Sequence, residues 1–565
     1  MNNFQGLRVK KRISAFIVSS ALLSFSINAY AAEIPASGNL TLQDAVRTAI
    51  KNAPTMITES IKVDLAKADE MEAGDPFGAS FKASGAINNV RGYQYPTELQ
   101  QIGMMAKPQI STFVTDNKDE NELKTSLSKL FRNGVYADFS IALQSSDSDK
   151  LRADFANGNV VAGLNAAKLK PGAQTGDYFP SHPSIVQLTV NVPLLKFSGE
   201  NNIAAANESQ KRYQREAAEA TLKQGVASII RSVVNNYWEY KAALIKLQYT
   251  QDSEAQVKQW LGALDASVEA DKRDKTLKTD TTSEIAHLRG FATQLGADVS
   301  KAQEAVNVAR NALAQAIGIS AEDAGKIVQA QDDYPLDWSA VLTSFDDNAL
   351  RKKWNALAEK NRFDLQAAGL QLEAAKAIFL GAQNDEQSKL DLTVILKQQG
   401  LSGGGNGVEL DSLSQGRSDL GNTVMLSFEK KLGNDKAKAQ VTRTRYLKLQ
   451  KEVEYNNAKR TVGLDVDSAV SSVRNSLVGL AAAKQQTAYY VTALDAIVGK
   501  KPPKLNEVFD LVVIEQARLK AVNDHVSAIQ KVANAVTAAH FQTGTLLKQV
   551  DNIQEVAVSD LTMLP

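Results

Sequence analysis

The stretch Gln224-Gly-Val-Ala-Ser-Ile-Ile-Arg-Ser-Val-Val-Asn-Asn-Tyr-Trp-Glu-Tyr-Lys-Ala-Ala-Leu-Ile-Lys-Leu-Gln248 decides how the rest of the chain must be arranged. Val226, Ile230, Val233, Tyr237, Tyr240, Leu244 and Leu247 step alternately by four and three. An apolar seam of that period packs helices side by side, knobs into holes. The same period returns in Val299, Ala302, Val306, Ala309, Leu313 and Ala316. Gly199 to Gly318 holds no proline, and its only break is the charged run Asp271-Lys272-Arg273-Asp274-Lys275. The stretch therefore reads as a long antiparallel hairpin with its tip near 270–280. At ~1.5 Å per residue, each arm spans on the order of 80 Å. One such hairpin cannot bury both of its faces and needs further helices beside it.

Working toward the N-terminus, residues 77–193 change character. Prolines, glycines and serines concentrate there, and apolar residues alternate with polar ones. Val186, Leu188, Val190 and Val192 oppose Gln187, Thr189 and Asn191. Phe139, Ile141 and Leu143 oppose Asp138, Ser140 and Gln144, after the turn signal Asn133-Gly134. Phe77, Ala79, Phe81 and Ala83 read as a weaker strand. The polar stretches 93–121 and 146–182 read as surface loops, with a hairpin over 123–145. A helix over 42–73 precedes this region. Before it, Arg8, Lys10, Lys11 and Arg12, the apolar run 13–27 and Ala29-Tyr30-Ala31 have the form of a secretory signal peptide over residues 1–31. An uncleaved anchor is the alternative, disfavoured by the short, serine-interrupted apolar run.

Toward the C-terminus a link over 319–345 contains Tyr334-Pro335, and then the order repeats. Ala49-Ile50-Lys51-Asn52 returns as Leu357-Ala358-Glu359-Lys360-Asn361. A helix over 346–382 leads to strands over 390–429. There Leu390, Leu392, Val394 and Leu396 oppose Asp391, Thr393 and Lys397, and Val424, Leu426 and Phe428 oppose Thr423, Ser427 and Glu429. A second helical hairpin over 435–547 carries the seam Val462, Val466, Ala469, Val473, Ser476, Leu480, with its tip at Lys500-Lys501-Pro502-Pro503-Lys504. Residues 548–565 read as a flexible tail. The organisation is an internal duplication, 32–318 and 346–547, with an insertion in the first strand region.

Composition narrows the function. The net charge is +1, and loss of the four N-terminal cations leaves a mature chain close to neutral, which gives no sign of a nucleic-acid binder. Cysteine is absent, so disulfides, thiolate metal sites, a cysteine nucleophile and a lipoprotein anchor are excluded. His182, His287, His525 and His540 lack ligand spacing, and the glycine-rich 402–407 lacks the Lys-Ser/Thr of a phosphate loop. Asp116, Asp119 and Glu120 read as a solvated loop. No enzyme, cofactor or metal site is expected. Strands of this length and alternation suit a transmembrane β-barrel, apolar side to lipid, with Gln187, Thr189, Asn191, Asp391 and Thr393 facing the lumen; a soluble β-subdomain with a one-sided core alternates identically and is the alternative, disfavoured by the signal peptide. One chain supplies four to six strands, too few to close a barrel, so copies must combine.

The chain resembles the TolC-like outer membrane channel proteins over most of its mature length. Thr41-Leu42-Gln43-Asp44-Ala45 through Lys51-Asn52-Ala53-Pro54 is similar to that family's opening. Val192-Pro193-Leu194-Leu195 with Gly199 resembles its strand-to-helix junction, and Asn236-Tyr237-Trp238-Glu239 its mid-helix aromatic pair. The second repeat departs, with Phe363 in place of a frequent proline and Glu429-Lys430-Lys431-Leu432 in place of the Pro-Leu junction. The missing lipoprotein cysteine is similar to the unlipidated members. The resemblance implies a homotrimer in outer-membrane lipid, mainly α with a shared β-barrel continuous with an α-helical tunnel of coiled-coil hairpins in the periplasm. It implies an exit duct for efflux or type I secretion, met by a periplasmic adaptor and an inner-membrane transporter. Lys272, Arg273, Lys275, Lys500, Lys501 and Pro502 then mark the adaptor-contact tips. Asp510, Glu507, Glu515, Asp280 and Glu284 are the aperture candidates. The competing reading is a secreted coiled-coil structural or adhesion protein without a pore.

Overall fold

The structure is a computed structural model and describes residues 38–94, 114–148, 181–273, 282–334, 345–403, 412–413, 418–499, 505–550, 553–555 and 563–565. Strand β1 (Asn39–Leu40) leads to helix α1 (Leu42–Asn52), whose first turn is capped by the Thr41 hydroxyl accepting from the Asp44 amide. Helix α2 (Pro54–Gly74) follows, then strands β2 (Ala79–Gln94), β3 (Val114–Leu130), β4 (Tyr136–Ser148) and β5 (Ser181–Pro193). The first long hairpin is α3 (Ile203–Arg273) and α4 (Thr282–Ile317). The link holds the short helix α5 (Ala321–Ala324) and strand β6 (Gln329–Ala330), which pairs in parallel with β1. The second half runs α6 (Asp347–Asn361), α7 (Phe363–Glu386), β7 (Lys389–Gly403), β8 (Gly421–Glu429), α8 (Asp435–Val498) and α9 (Val508–Thr543). The signal-peptide residues 1–31 lie outside the described residues.

Both short helices differ from the continuous ones that periodicity suggests over 42–73 and 346–382. Ala53 is extended (φ −62°, ψ 123°) because a residue before proline is pushed out of the α region. Arg362 is extended in the same way (φ −71°, ψ 119°) with no proline after it. Its guanidinium is almost fully buried and bonds Asp364 at 2.5 and 3.0 Å, Asp465 at 2.9 Å and Gln542 at 2.9 Å. An ion-pair network holds the second break where ring geometry holds the first.

Each break receives the end of a long hairpin. Gly318 has φ 81°, and a Cβ on it would lie 3.0 Å from the Asn52 carbonyl oxygen. Gly544 has φ 70°, and a Cβ on it would lie 2.6 Å from the Asn361 carbonyl carbon. Glycine fits both the left-handed backbone and the close approach. Thus α4 abuts the start of α2, and α9 abuts the start of α7. Helices α2, α3, α7 and α8 pack side by side near the sheet, and α4, α3, α9 and α8 do so toward the tips. The Val226–Tyr240 seam is buried in one core with Leu42, Ala45, Leu313 and Ile317. A second core gathers Trp354, Val462, Val466, Val473 and Val536. In α8 the buried seam passes through Leu477, beside the half-buried Ser476.

Within the stretch 548–565, the described residues 548–550, 553–555 and 563–565 make contacts of their own. Lys548–Val550 and Ile553–Glu555 pair as a small hairpin, and the Met563 and Pro565 carbonyl groups meet His540 and Trp354 at 2.9 and 3.1 Å. Leu564 packs on the second core. Burial of the leucine and capture of the backbone oxygens outweigh the freedom lost.

Candidate functional site: a two-faced sheet and the hairpin tips

Six strands hydrogen-bond in the order β2-β3-β4-β5-β7-β8, all antiparallel. Strand β3 occupies residues 114–121, where polarity on both faces suggests a loop, so Asp116, Asp119 and Glu120 stand on a strand. Directly opposed residues share a face of an antiparallel sheet. One row therefore runs Phe81, Leu127, Phe139, Leu188, Leu396 across five strands. A parallel row joins Val190, Val394 and Val424, and another Val192, Leu392 and Leu426. The opposite face carries Asn191 against Thr393, and Thr189 and Gln187 on the same side. The register places all five lumen candidates on that polar face.

The edge strands β2 and β8 are exposed on both faces, and large apolar side chains stand in the open there. Phe81 is 70% exposed, Val424 68%, Leu426 65% and Phe428 64%, with Leu127 and Phe139 also exposed. On the inner strands three polar-face residues, Ser128, Ser140 and Asp391, are buried, and Gln187, Thr189, Asn191 and Thr393 are half-buried. Asp391 pairs with the Lys389 ammonium at 3.2 Å and accepts from the Asn191 side-chain amide at 3.5 Å. Gln187 donates to the Thr189 hydroxyl at 3.0 Å. Water-soluble sheets bury the other side. Leaving these six large apolar side chains in water forgoes about 1.5–3 kcal/mol each, on the order of 10 kcal/mol together. That equals the whole stability of an ordinary domain. The face fits a hydrocarbon surrounding.

At the far end of the helices, Val257, Trp260 and Leu264 of α3, Leu288, Phe291 and Leu295 of α4, and Val508, Leu511 and Val512 of α9 form a third core. It locks the two hairpins together below their tips. The His287 ring of α4 packs on the Phe509 ring of α9, centroids 4.9 Å apart. That contact brings Glu284 and Asp510 to neighbouring helices at one level. Asp510 is exposed; Glu507 and Glu284 are half-buried, the latter accepting from the Ser283 hydroxyl at 2.8 Å. Lys272 and Arg273 end α3. Lys275, Asp280, Lys500, Lys501 and Pro502 lie outside the described residues.

Glu515 departs from the other aperture candidates. It is fully buried, accepts two bonds from Arg518 at 2.7 Å, and accepts from the Ser253 hydroxyl of α3 at 2.5 Å. The carboxylate in turn holds the Arg518 guanidinium above its usual range. A carboxylate so enclosed cannot face a bore; it clasps α9 to α3. The sequence carried the signal. Val508, Val512, Glu515, Leu519, Val522 and Val526 step by four and three, so Glu515 occupies a seam position.

The mid-helix aromatics are structural. Tyr237 donates to Asp332 at 2.8 Å, and the Asp332 carboxylate also accepts from the Leu42 amide at 2.5 Å. Burial pushes the Tyr237 hydroxyl far above its usual range. Tyr240 donates to the Val328 carbonyl at 3.0 Å, and Tyr334 stacks on Trp238. Together they fasten the link and β1 around α3. No cluster of metal-binding side chains occurs among the described residues, and no helix of theirs is long and apolar enough to cross a membrane.

No family profile and no curated protein sequence matches the chain. Solved structures do. The outer-membrane channel OprN is 14% identical with a TM-score of 0.54, the match covering 89% of this chain and 90% of that one. The outer membrane protein VceC from Vibrio cholerae is 14% identical, TM-score 0.53, over 89% and 96%. The CmeC outer membrane channel of Campylobacter jejuni is 13% identical, TM-score 0.52, over 89% and 85%. Likeness at such identity is likeness of fold, and it spans the helical layers and the sheet together. The chain has the fold of the outer-membrane channels, the architecture of the TolC-like proteins that its motifs resemble.

Proposed function

We propose that this chain is an outer-membrane channel of the TolC-like family, a homotrimeric exit duct for efflux or type I secretion. A periplasmic adaptor and an inner-membrane transporter complete the path, with the hairpin tips as the adaptor's contact. The sidedness of the six-stranded sheet carries the reading: one face of apolar rows with large side chains left exposed, one face polar, and open edges at β2 and β8. Unpaired strand edges are costly in lipid, and pairing β8 with β2 of a second copy removes them. A ring of three would hold eighteen strands, within the range of outer-membrane barrels. A secreted adhesion protein would leave the apolar rows in water. Purified protein reconstituted in planar bilayers is expected to conduct ions, and its mass in detergent to be that of three chains. A soluble monomer without conductance would overturn the reading.

Asp510, with Glu507 and Glu284 beside it and Asp280 beyond the described residues, is proposed to line the narrow tip end. Three copies of an exposed carboxylate around a bore attract cations. Asp510→Ala is expected to lower cation preference and weaken block by divalent cations. Wild-type selectivity and block in the triple variant of Asp510, Asp280 and Glu284 would remove them from the aperture.

A further inference from the structure

Between the sheet and the helical layer lies a cleft of about 450 Å³. Lys430 and Lys431 stand on its wall just past β8, exposed and without an ion-pair partner among the described residues. Next to them Leu432 is 92% exposed, more than any other large apolar side chain described. Two residues earlier Phe428 ends the apolar row, so basic charge begins where the apolar face stops. The same change occurs at the β3–β4 turn. There Lys129 lies over the ring of the exposed Phe131 at 5.5 Å, and Arg132 beside it pairs with Glu208 of α3. Leu194 is exposed at the corresponding end of β5.

We propose that this junction docks on the anionic headgroups of membrane phospholipids, Lys430 and Lys431 taking the phosphates and Leu432 entering the acyl region. The proposal rests on the membrane reading of the sheet. Its physics is that of an interfacial anchor. An apolar side chain beside two lysines gains from both layers of a bilayer surface, whereas in water the leucine gains nothing. Each lysine near an anionic surface strengthens binding roughly fivefold, and less as salt rises. Of the other lysines on the cleft, Lys196 pairs with Asp385 at 2.8 Å, Lys389 with Asp391 at 3.2 Å and Lys438 with Asp435 at 3.8 Å, which leaves Lys430 and Lys431 as its cations without an ion pair among the described residues, beside Glu386 and Glu429 of the same lining.

The full chain, purified with its lipid exchanged, is reconstituted in phosphatidylcholine vesicles with and without phosphatidylglycerol. Flotation and conductance report insertion; lipid retained after extraction reports preference. Wild-type protein is expected to insert in both and to retain phosphatidylglycerol preferentially, with inorganic phosphate failing to displace it. K430Q/K431Q should insert with unchanged helix content and lose about 25-fold of that preference at low salt, and K430R/K431R should keep it. Leu432→Ser should weaken retention of both lipids while leaving the preference. Insertion with no preference, or an undiminished preference in K430Q/K431Q, overturns the docking surface alone. Failure to float with any vesicle overturns the membrane reading and this surface with it.

Discussion

Arg362 shows at one residue how two halves of a chain reach one geometry by different means. Pro54 fixes the first break covalently, and Arg362 fixes the second through its buried guanidinium held by two half-exposed carboxylates. Burial acts against the charge there, yet the hydrogen bonds to Asp364 and Asp465 hold the guanidinium above its usual range. Arg362→Met is expected to cost about 1–3 kcal/mol, since its charge-assisted hydrogen bonds are lost while Asp364 and Asp465, both partly exposed, regain water. Thermal unfolding of the detergent-solubilised protein measures it, and a loss below about 1 kcal/mol would mean the network contributes little. His525 of α9 supplies a pH dependence. Burial and the Lys484 ammonium hold its imidazole below the usual 6.5. The unfolded chain therefore takes up the proton first, so stability present above pH 6.5 declines as pH falls toward the folded-state value. His525→Gln should flatten that decline, and an unchanged slope would assign it to other groups.

Among elements, the glycine stops at the ends of α4 and α9 make the clearest test of the paired arrangement. Gly544→Ala should destabilise more than Gly318→Ala, because its Cβ would meet backbone at 2.6 Å against 3.0 Å. Each should exceed about 1 kcal/mol, the strain of a left-handed alanine added to the clash. Equal, negligible effects would mean that the helix ends yield freely. Gly318 closed the first hairpin in the sequence as well, and the five strands with an apolar side were legible within a few residues. Strand β3 was not. Alternation reports which side is greasy, and Lys118-Asp119-Glu120-Asn121 is polar on both sides, held only by backbone pairing to β2 and β4. The break at Arg362 was hidden because its determinants, Asp465 and Gln542, lie about a hundred residues or more away. Glu515 was misjudged from its charge, although the spacing of its neighbours placed it on the seam.

At the scale of the molecule, the helical layer ends in apolar stripes that nothing in one chain covers. Ile57, Ile61 and Leu65 follow one another on α2 at a spacing of four, all exposed, and Tyr446, Leu449 and Val453 on α8 at spacings of three and four, also exposed. These are the two outer helices of the layer, so a second copy can lay α8 against α2 as α7 lies against α3. Ile61→Asp with Leu65→Asp should convert the assembly to monomers, read by mass in detergent. An intact oligomer would place the contact elsewhere.

The widths of the two layers carry one more consequence. Six strands spaced ~4.8 Å apart and inclined by about 40° cover an arc of about 38 Å. Four helices at 8–10 Å spacing cover about 36 Å. Whatever number of copies closes the ring, its girth is therefore nearly the same at both levels, and three copies give a backbone diameter of about 36 Å throughout. In the proposed duct a solute travelling along the axis would meet no shoulder where strands give way to helices, and friction and sieving would fall to the end away from the sheet.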